Sequence, residues 1–342
     1  MSADFGYINA RIRGLKSRLL GPEFYATALA DGSFDSFLAS LGQTGYGTDL
    51  EEARTQASGL PAVDRALARN FYNTTRSILG FSDGWPHDLI ALLLRRYDLA
   101  NIKAVARAKH AGRAPEDTAS ALLPAGEMRP SLLDALVAAA DIPALAQVLG
   151  AAKHPLTQAV RKAARAYGES GDLFTFEVTL DRAFHEAIAE AASELPLPES
   201  FRGYLDLELQ ATNLRTALKL RGRDVAAQEF FLAPRKAALG ARNVFDSIIA
   251  DTGSEGLSAL ADTRFGAVAD TKSLGEADAA IRAVLDAEVR RLSLGDPLGP
   301  FVVLDFLRRK ERELARLRLL ARGTYYSVPR EQLEQELSDG AA

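Results

Sequence analysis

The sequence predicts an all-α protein, and three observations support this fold class. Apolar residues recur at intervals of three and four along most of the chain, which is the period of an amphipathic helix. Alternating β-branched runs are nearly absent, and the closest one, at residues 174–178, is short. Breaks rich in Gly, Pro and Asp interrupt the helical pattern at residues 80–86, 196–200 and 295–300. We therefore expect ten to fourteen helices and essentially no sheet.

Composition narrows the classes of function. The 342 residues are 47% apolar and 25% charged, which is enough for a globular core and rules out a disordered chain. With 41 Lys and Arg against 45 Asp and Glu, a net charge of −4 disfavours general nucleic-acid binding. The absence of cysteine excludes disulfides, thiolate metal sites and a catalytic Cys. No stretch is apolar enough to span a membrane and no leader opens the chain, so we expect a cytoplasmic protein.

Internal repetition predicts the domain organisation. Two stretches resemble linkers, residues 112–130 and 222–234, and they cut the chain into three parts of similar length. We predict one helical repeat over 1–115, a second over 116–228, and a third over 229–342 that includes a C-terminal tail.

Each third ends in a helix with an aliphatic residue, a cation, and a second cation four residues later. The pairs are Lys103 and Arg107, Arg215 and Lys219, and Arg318 and Arg322. A proline precedes the start of this motif by 15, 15 and 16 residues in the three repeats. Asn101 and Asn213 open the first two motifs, whereas Arg316 opens the third, so a role shared by the two asparagines is not expected there.

Two further elements recur upstream of the cationic helices in the same order. A helix carries DRAL from residue 64, DRAF from 181 and IRAV from 281. Earlier still, a turn after an apolar helix contains a ring residue: Tyr46, His154 and Phe265, which are 108 and 111 residues apart. Each match is weak alone, but four elements in one order are hard to obtain by accident.

Motifs for catalysis and cofactor binding are missing. The sequence contains no phosphate-binding loop, no dinucleotide G-x-G-x-x-G pattern and no H-E-x-x-H motif. The four histidines are expected to have ordinary surface or capping roles. We therefore predict no catalytic residues, no cofactor and no bound metal.

Several segments together resemble one known family. They are FGYINARIRGLKSRLL at residues 5–20, EFY at 23–25, YGTDL at 46–50, and KERELARLRLLARG at 310–323, followed by a short helix near 328–337. In this order, and with the threefold repetition, they resemble the C subunit of the bacterial and archaeal V-type (A-type) ATPase/ATP synthase, a relative of the d subunit of the eukaryotic V-ATPase. The resemblance spans almost the whole chain.

The resemblance implies a structure and a role. The family has three similar helical subdomains around a pseudo-threefold axis, which form a funnel. It is a non-catalytic rotor adapter that links the central shaft, made of the D and F subunits, to the membrane proteolipid ring. It transmits torque for proton-coupled ATP synthesis or hydrolysis. The resemblance implies a peripheral location on the cytoplasmic face of the plasma membrane, without a membrane span and without nucleic acid as a partner.

Two other classes of function remain open from the residues alone. A generic helical-repeat scaffold would bind a peptide or protein, but its repeats usually span about 30 to 45 residues, against a period near 105 to 112 in this sequence. An all-helical enzyme could use scattered carboxylates or a Tyr in one concave pocket.

The paired cations have two interpretations. Like charges four residues apart on a helix cost about 0.2–0.5 kcal/mol, so their repetition indicates compensation. Carboxylates of the same or a neighbouring repeat, or nearby helix ends, could supply it. Alternatively, a pseudo-threefold axis would gather Lys103, Arg107, Arg215, Lys219, Arg318 and Arg322 into a cationic collar that binds the tip of the shaft.

Overall fold

A computed structural model describes residues 5–222, 231–232, 242–251 and 255–339. The helices in these ranges, in chain order, are α1 (Gly6–Lys16), α2 (Pro22–Asp31), α3 (Phe34–Gly42), α4 (Gly47–Arg54), α5 (Gly59–Gly80), α6 (Gly84–His110), α7 (Pro115–Ala121), α8 (Pro130–Ala138), α9 (Ile142–Ala151), α10 (Thr157–Ser170), α11 (Leu173–Ser193), α12 (Glu199–Leu220), α13 (Arg242–Ala250), α14 (Glu255–Ser258), α15 (Leu274–Gly295), α16 (Phe301–Tyr325) and α17 (Arg330–Asp339). A 3-10 turn lies at Gly266–Val268.

The predicted all-α class is confirmed. No strand occurs in the described ranges, and residues 174–178 lie inside α11. The helices outnumber the ten to fourteen predicted, because elements as short as α7 and α14 contain too few turns to display a periodic pattern. The short helix expected near residues 328–337 is α17.

Three pairs of long consecutive helices carry the motifs that recur in the sequence. They are α5 with α6, α11 with α12, and α15 with α16, and each pair is separated by one of the predicted breaks. Pro198 and Pro300 are the residues that cap α12 and α16, whereas Pro86 lies in the first turn of α6. Proline is tolerated there because the first N–H groups of a helix have no intrahelical partner.

The cationic helix of the third predicted repeat, α16, packs against several other helices. Helix α16 packs against α1, α3, α5 and α17. Its apolar stripe, which repeats at helical spacing, is buried and consists of Leu304, Leu307, Leu314 and Leu317. Helices from both ends of the sequence therefore share one core.

The chain divides into two compact units rather than three. One comprises Met1–Arg161 with Leu298–Ala341, and the other comprises Lys162–Pro297. In the first unit α7, α8 and α9 pack against α6, and in the second unit α13 packs against α12. The opening helices of a predicted repeat thus pack on the long helix of the repeat before it. Sequence repeats and compact units therefore need not share boundaries, and the division into three repeats stays a prediction.

The first and third of the turns that carry the recurring ring residues are locally similar. In the first, Thr44 Oγ1 donates to Leu41 O at 2.6 Å and accepts from Tyr46 N at 3.2 Å. In the third, Thr263 Oγ1 donates to Leu260 O at 2.7 Å and accepts from Phe265 N at 3.1 Å.

The residue after the ring is Gly47 in the first turn and Gly266 in the third. A Cβ would overlap Gly42 O at the former and would lie 2.6 Å from Ala261 O at the latter, so close packing of the turn requires glycine.

Candidate functional site: cation pairs and polar clusters of the long helices

The six predicted site residues lie on α6, α12 and α16. Lys103 and Arg107 lie on α6, where Lys103 is half-buried and Arg107 is exposed. Because residues four apart share a helix face, each pair presents two cations together. The pairs of α6 and α16 belong to the first compact unit, and the pair of α12 belongs to the second.

The two paired cations of α16, Arg318 and Arg322, contact one buried carboxylate on α5. Arg318 Nε lies 3.3 Å from Asp64 Oδ1, and Arg322 Nη2 lies 3.1 Å from Asp64 Oδ2. Asp64 is the first residue of the DRAL motif and is only 6% exposed. Burial lowers the pKa of Arg318, and the charge of Asp64 opposes this shift. An arginine remains charged in this setting, so the carboxylate compensates the two like charges.

The two paired cations of α12, Arg215 and Lys219, contact two different carboxylates. Arg215 Nε donates to Asp278 Oδ1 on α15 at 2.6 Å, and Arg282 donates to the other oxygen of Asp278. Lys219 Nζ lies 3.7 Å from Glu177 on α11. These contacts match the interpretation in which carboxylates of the same or a neighbouring repeat compensate the paired cations.

A buried polar cluster was not predicted from the sequence. Lys310 Nζ donates to Tyr46 OH at 2.7 Å and to Glu313 Oε1 at 2.9 Å, and Tyr46 OH donates to Glu313 Oε1 at 2.6 Å. Burial lowers the pKa of Lys310, against the effect of Glu313, and raises the pKa of Tyr46. Glu313 also accepts from Leu20 N at 2.5 Å. The available signal was that Tyr46, Lys310 and Glu313 all lie in segments carrying the family resemblance.

A second cluster joins α1 to α16. Lys16 Nζ donates to Asp305 Oδ2 at 2.7 Å, and Arg309 Nε donates to the same carboxylate at 2.9 Å. Burial raises the pKa of Asp305, but the hydrogen bonds from Lys16 and Arg309 outweigh burial, so the net pKa is lowered. The cluster fixes α1 on α16 by charge-assisted hydrogen bonds.

The described ranges contain neither a candidate metal site nor a candidate membrane-spanning helix. No group of three or more His, Asp or Glu side chains there is placed to hold a metal ion. Among the helices described, none combines the length and the apolar character needed to cross a bilayer.

Comparisons with known proteins cover nearly the whole chain. Residues 8–336 match the protein family described as ATP synthase (C/AC39) subunit. The chain is 37% identical to the C subunit of the V-type ATP synthase of Thermus thermophilus over 337 residues, which cover 98% of this chain and 99% of that protein. It is 34% identical to the protein of the same name from Deinococcus radiodurans, covering 98% and 92% of the two chains.

Archaeal proteins match as well. The chain is 27% identical to the C subunit of the A-type ATP synthase of Haloferax volcanii over 341 residues, covering 97% of this chain and 96% of that protein. Since one family matches from residue 8 to residue 336 and relatives above 30% identity align over almost their full length, the chain belongs to the ATP synthase (C/AC39) subunit family.

Proposed function

We propose that this chain is a non-catalytic rotor adapter of a V/A-type ATPase/ATP synthase. It joins the central shaft, made of the D and F subunits, to the membrane proteolipid ring and transmits torque between them. The observation that carries the proposal is the match over 98% of the chain to proteins named as the C subunit of V-type ATP synthase. The proposal also places the chain on the cytoplasmic face of the membrane, held there by the ring.

Interactions between the chain ends support a torque-bearing role. An element that transmits torque must resist deformation, which requires contacts between segments far apart in sequence. Helix α16 provides them through Asp64 with Arg318, Lys16 with Asp305, and Leu20 with Glu313. Polar pairs of low exposure fix relative positions more strictly than apolar contacts do, because misplacing one partner leaves a buried group unpaired.

Binding of the shaft by the six paired cations is a separate proposal. Arg322 and Lys219 side chains are each 46% exposed, and Arg107 is exposed. Exposed charges accelerate the encounter with an acidic partner even when each also has an internal carboxylate. In this form the six cations steer the shaft toward the adapter, and internal ion pairs hold four of them, Arg215, Lys219, Arg318 and Arg322, in place.

The class of function is tested by affinity purification from native membranes. The chain, tagged at its C-terminus, is isolated after mild detergent extraction, and the proteins that accompany it are identified by mass spectrometry. We expect shaft and proteolipid proteins in stoichiometric amounts. Recovery of an unrelated protein without any other component of an ATP synthase would instead favour the scaffold function.

A further inference from the structure

An exposed aromatic and cationic surface lies at the start of α1. Tyr7 is 60% exposed, and its ring contacts the ring of Phe81 edge-on, with 6.4 Å between the two centroids. The guanidinium of Arg11 lies over both rings, 5.1 Å from the centroid of Phe81 and 6.0 Å from that of Tyr7. Phe81 belongs to the break between α5 and α6, so segments distant in sequence build this surface together.

Two more apolar residues adjoin this surface. The half-buried Trp85 packs edge-on against Phe5, the residue before α1, with 5.1 Å between the ring centroids. Leu298 is 63% exposed and precedes Gly299, whose carbonyl accepts a hydrogen bond from Asn9 Nδ2 on α1 at 3.0 Å. The breaks before α6 and α16 therefore both meet α1. The residues that we call the α1 patch are Tyr7, Arg11, Phe81, Trp85 and Leu298.

The charged side chains of α1 and of the turn after it are all basic. Arg11, Arg13 and Lys16 lie on α1, and Arg18 follows it. Arg13 and Lys16 occupy the last turn, where cations oppose the helix dipole, and Lys16 also pairs with Asp305. Neither explanation applies to Arg11 and Arg18, because Arg11 lies in the middle of the helix and Arg18 beyond its end. Within the described ranges, no carboxylate forms an ion pair with either of them.

An arginine without a carboxylate partner keeps its affinity for phosphate oxygens. A guanidinium has several N–H donors; the cation–π contacts of Arg11 use none of them, and its hydrogen bond to Tyr7 OH, at 3.4 Å, uses one. Residues 5–20 contain four cations and no carboxylate, although the whole chain carries a net charge of −4. This segment is therefore complementary in charge to anionic lipid headgroups. Aromatic rings beside exposed arginines are typical of surfaces that lie among headgroups.

We propose that the α1 patch docks on the anionic headgroup layer of the membrane. Arg11 and Arg18 bind lipid phosphates, and the ring of Tyr7 lies at the depth of the headgroups. Ile8 and Ile12 keep the inner face of α1 in the protein core, so the helix lies on the bilayer and does not enter it. The inference rests on the proposed function for the location of the chain beside a membrane. It adds a direct lipid contact to the attachment through the proteolipid ring.

Asp83 opposes this attraction and provides a variant that should bind more tightly. It is exposed, lies between Phe81 and Trp85, and precedes α6 without capping that helix through its side chain. D83N therefore removes a negative charge from the edge of the α1 patch and breaks no hydrogen bond of the helix end. We expect D83N to bind anionic vesicles more tightly than the unmodified chain does.

Vesicle flotation with the full-length chain tests the proposal. The vesicles contain phosphatidylcholine alone or equal parts of phosphatidylglycerol and phosphatidylcholine. We expect binding to the anionic vesicles only, weakened by salt, and at least about fivefold weaker binding by Y7A/R11Q. Y326A/R165Q is the matched control, because it removes an exposed tyrosine and an exposed arginine elsewhere, and it should bind as the unmodified chain does. An equal loss in both double variants, or no preference for anionic vesicles, would overturn the proposal.

Trp85 reports which face of the chain meets the lipid. It is the single tryptophan of the sequence, so its fluorescence comes from the α1 patch alone. Vesicles that contain lipid brominated near the headgroup should quench this fluorescence in the unmodified chain and in Y326A/R165Q, and quench it less in Y7A/R11Q. Vesicle binding without quenching would show that another face docks, and the proposal would be wrong.

The affinity purification described above separates this inference from the rotor role. If the chain binds anionic vesicles through the α1 patch but recovers no component of an ATP synthase, the rotor role fails and the lipid contact stands. If Y7A/R11Q loses the proteolipid yet binds vesicles as the unmodified chain does, the α1 patch binds the ring instead of lipid, and the lipid contact fails.

Discussion

Glu313 accepts a hydrogen bond from the backbone N–H of Leu20 across 293 positions of sequence, at 2.5 Å. The bond fixes the segment between α1 and α2 to α16. Lys310 and Tyr46 donate to the same carboxylate, so its charge is balanced and three segments meet at one side chain. A buried polar cluster of this kind is sensitive to the removal of any single member.

Removing Lys310 alone should lower the stability of the fold more than removing the charges of both Lys310 and Glu313. K310M leaves the carboxylate of Glu313 buried without its cation, and we expect a loss of about 3–5 kcal/mol in the free energy of unfolding. K310M/E313Q keeps an acceptor for Leu20 and carries no uncompensated charge, so it should recover more than half of that loss. Urea unfolding at pH 7 provides the measurement. A double variant no more stable than K310M would contradict the electrostatic explanation.

Asp64 on α5 contacts both Arg318 and Arg322, and this arrangement predicts which substitutions in the group destabilise the chain most. D64N removes the counter-charge of two arginines and should destabilise the chain by about 2–4 kcal/mol. R322A, whose side chain is 46% exposed, should cost about 0–1 kcal/mol. R318A should lie between them, because Arg318 is less exposed. Thermal or urea unfolding ranks the three variants, and an R322A variant less stable than D64N would refute the ranking.

The lowered pKa of Asp305 makes part of the stability dependent on pH. A carboxyl with a lowered folded-state pKa stabilises the fold above its ordinary value of 3.8, and this contribution is lost as pH falls through the folded-state pKa. We expect D305N to be less stable than the unmodified chain at pH 7 by about 1–3 kcal/mol. The difference should shrink below pH of about 4. A difference independent of pH between 3 and 7 would exclude the ionised carboxylate as its source.

A charge exchange separates the two roles of the α12 cations. R215E places two carboxylates together at Asp278, whereas R215E/D278R/R282E restores the ion pairs around this position with reversed polarity, because Arg282 also contacts Asp278. If the cation is only structural, the exchange should restore both stability and binding to the isolated D–F shaft. If it also steers the shaft, the exchange should restore stability but leave association slower and less dependent on salt. Surface-plasmon kinetics at two ionic strengths distinguish these results.

The sequence was sufficient for the helical class and for the family. Periodicity located the long helices because a buried stripe such as Leu304 to Leu317 repeats at helical spacing. Comparison of the three internal repeats located the cation pairs and the turn containing Tyr46. The recurrence of Asn101 and Asn213 signalled a shared role without revealing the paired hydrogen bonds that they make with the backbone of Leu123 and Leu232.

The contacts of those residues could not be predicted from one sequence. Asp64 and Arg318 are far apart along the chain, and no local pattern states that α5 packs on α16. The same limit applies to Glu313 and Leu20. The compact units differ from the predicted repeats because the opening helices of a repeat pack on the long helix of the preceding repeat. Packing between repeats produces no periodic pattern in the sequence.

Ion transport in membrane vesicles tests the rotor role most directly. Inverted vesicles from cells lacking this chain are given ATP, and ion uptake is recorded together with ATP hydrolysis and its sensitivity to a covalent blocker of the proteolipid ring. The rotor role predicts hydrolysis that is insensitive to the blocker and drives no uptake, with both coupling and sensitivity restored by the purified chain. Full ATP-driven uptake in vesicles without the chain would contradict it.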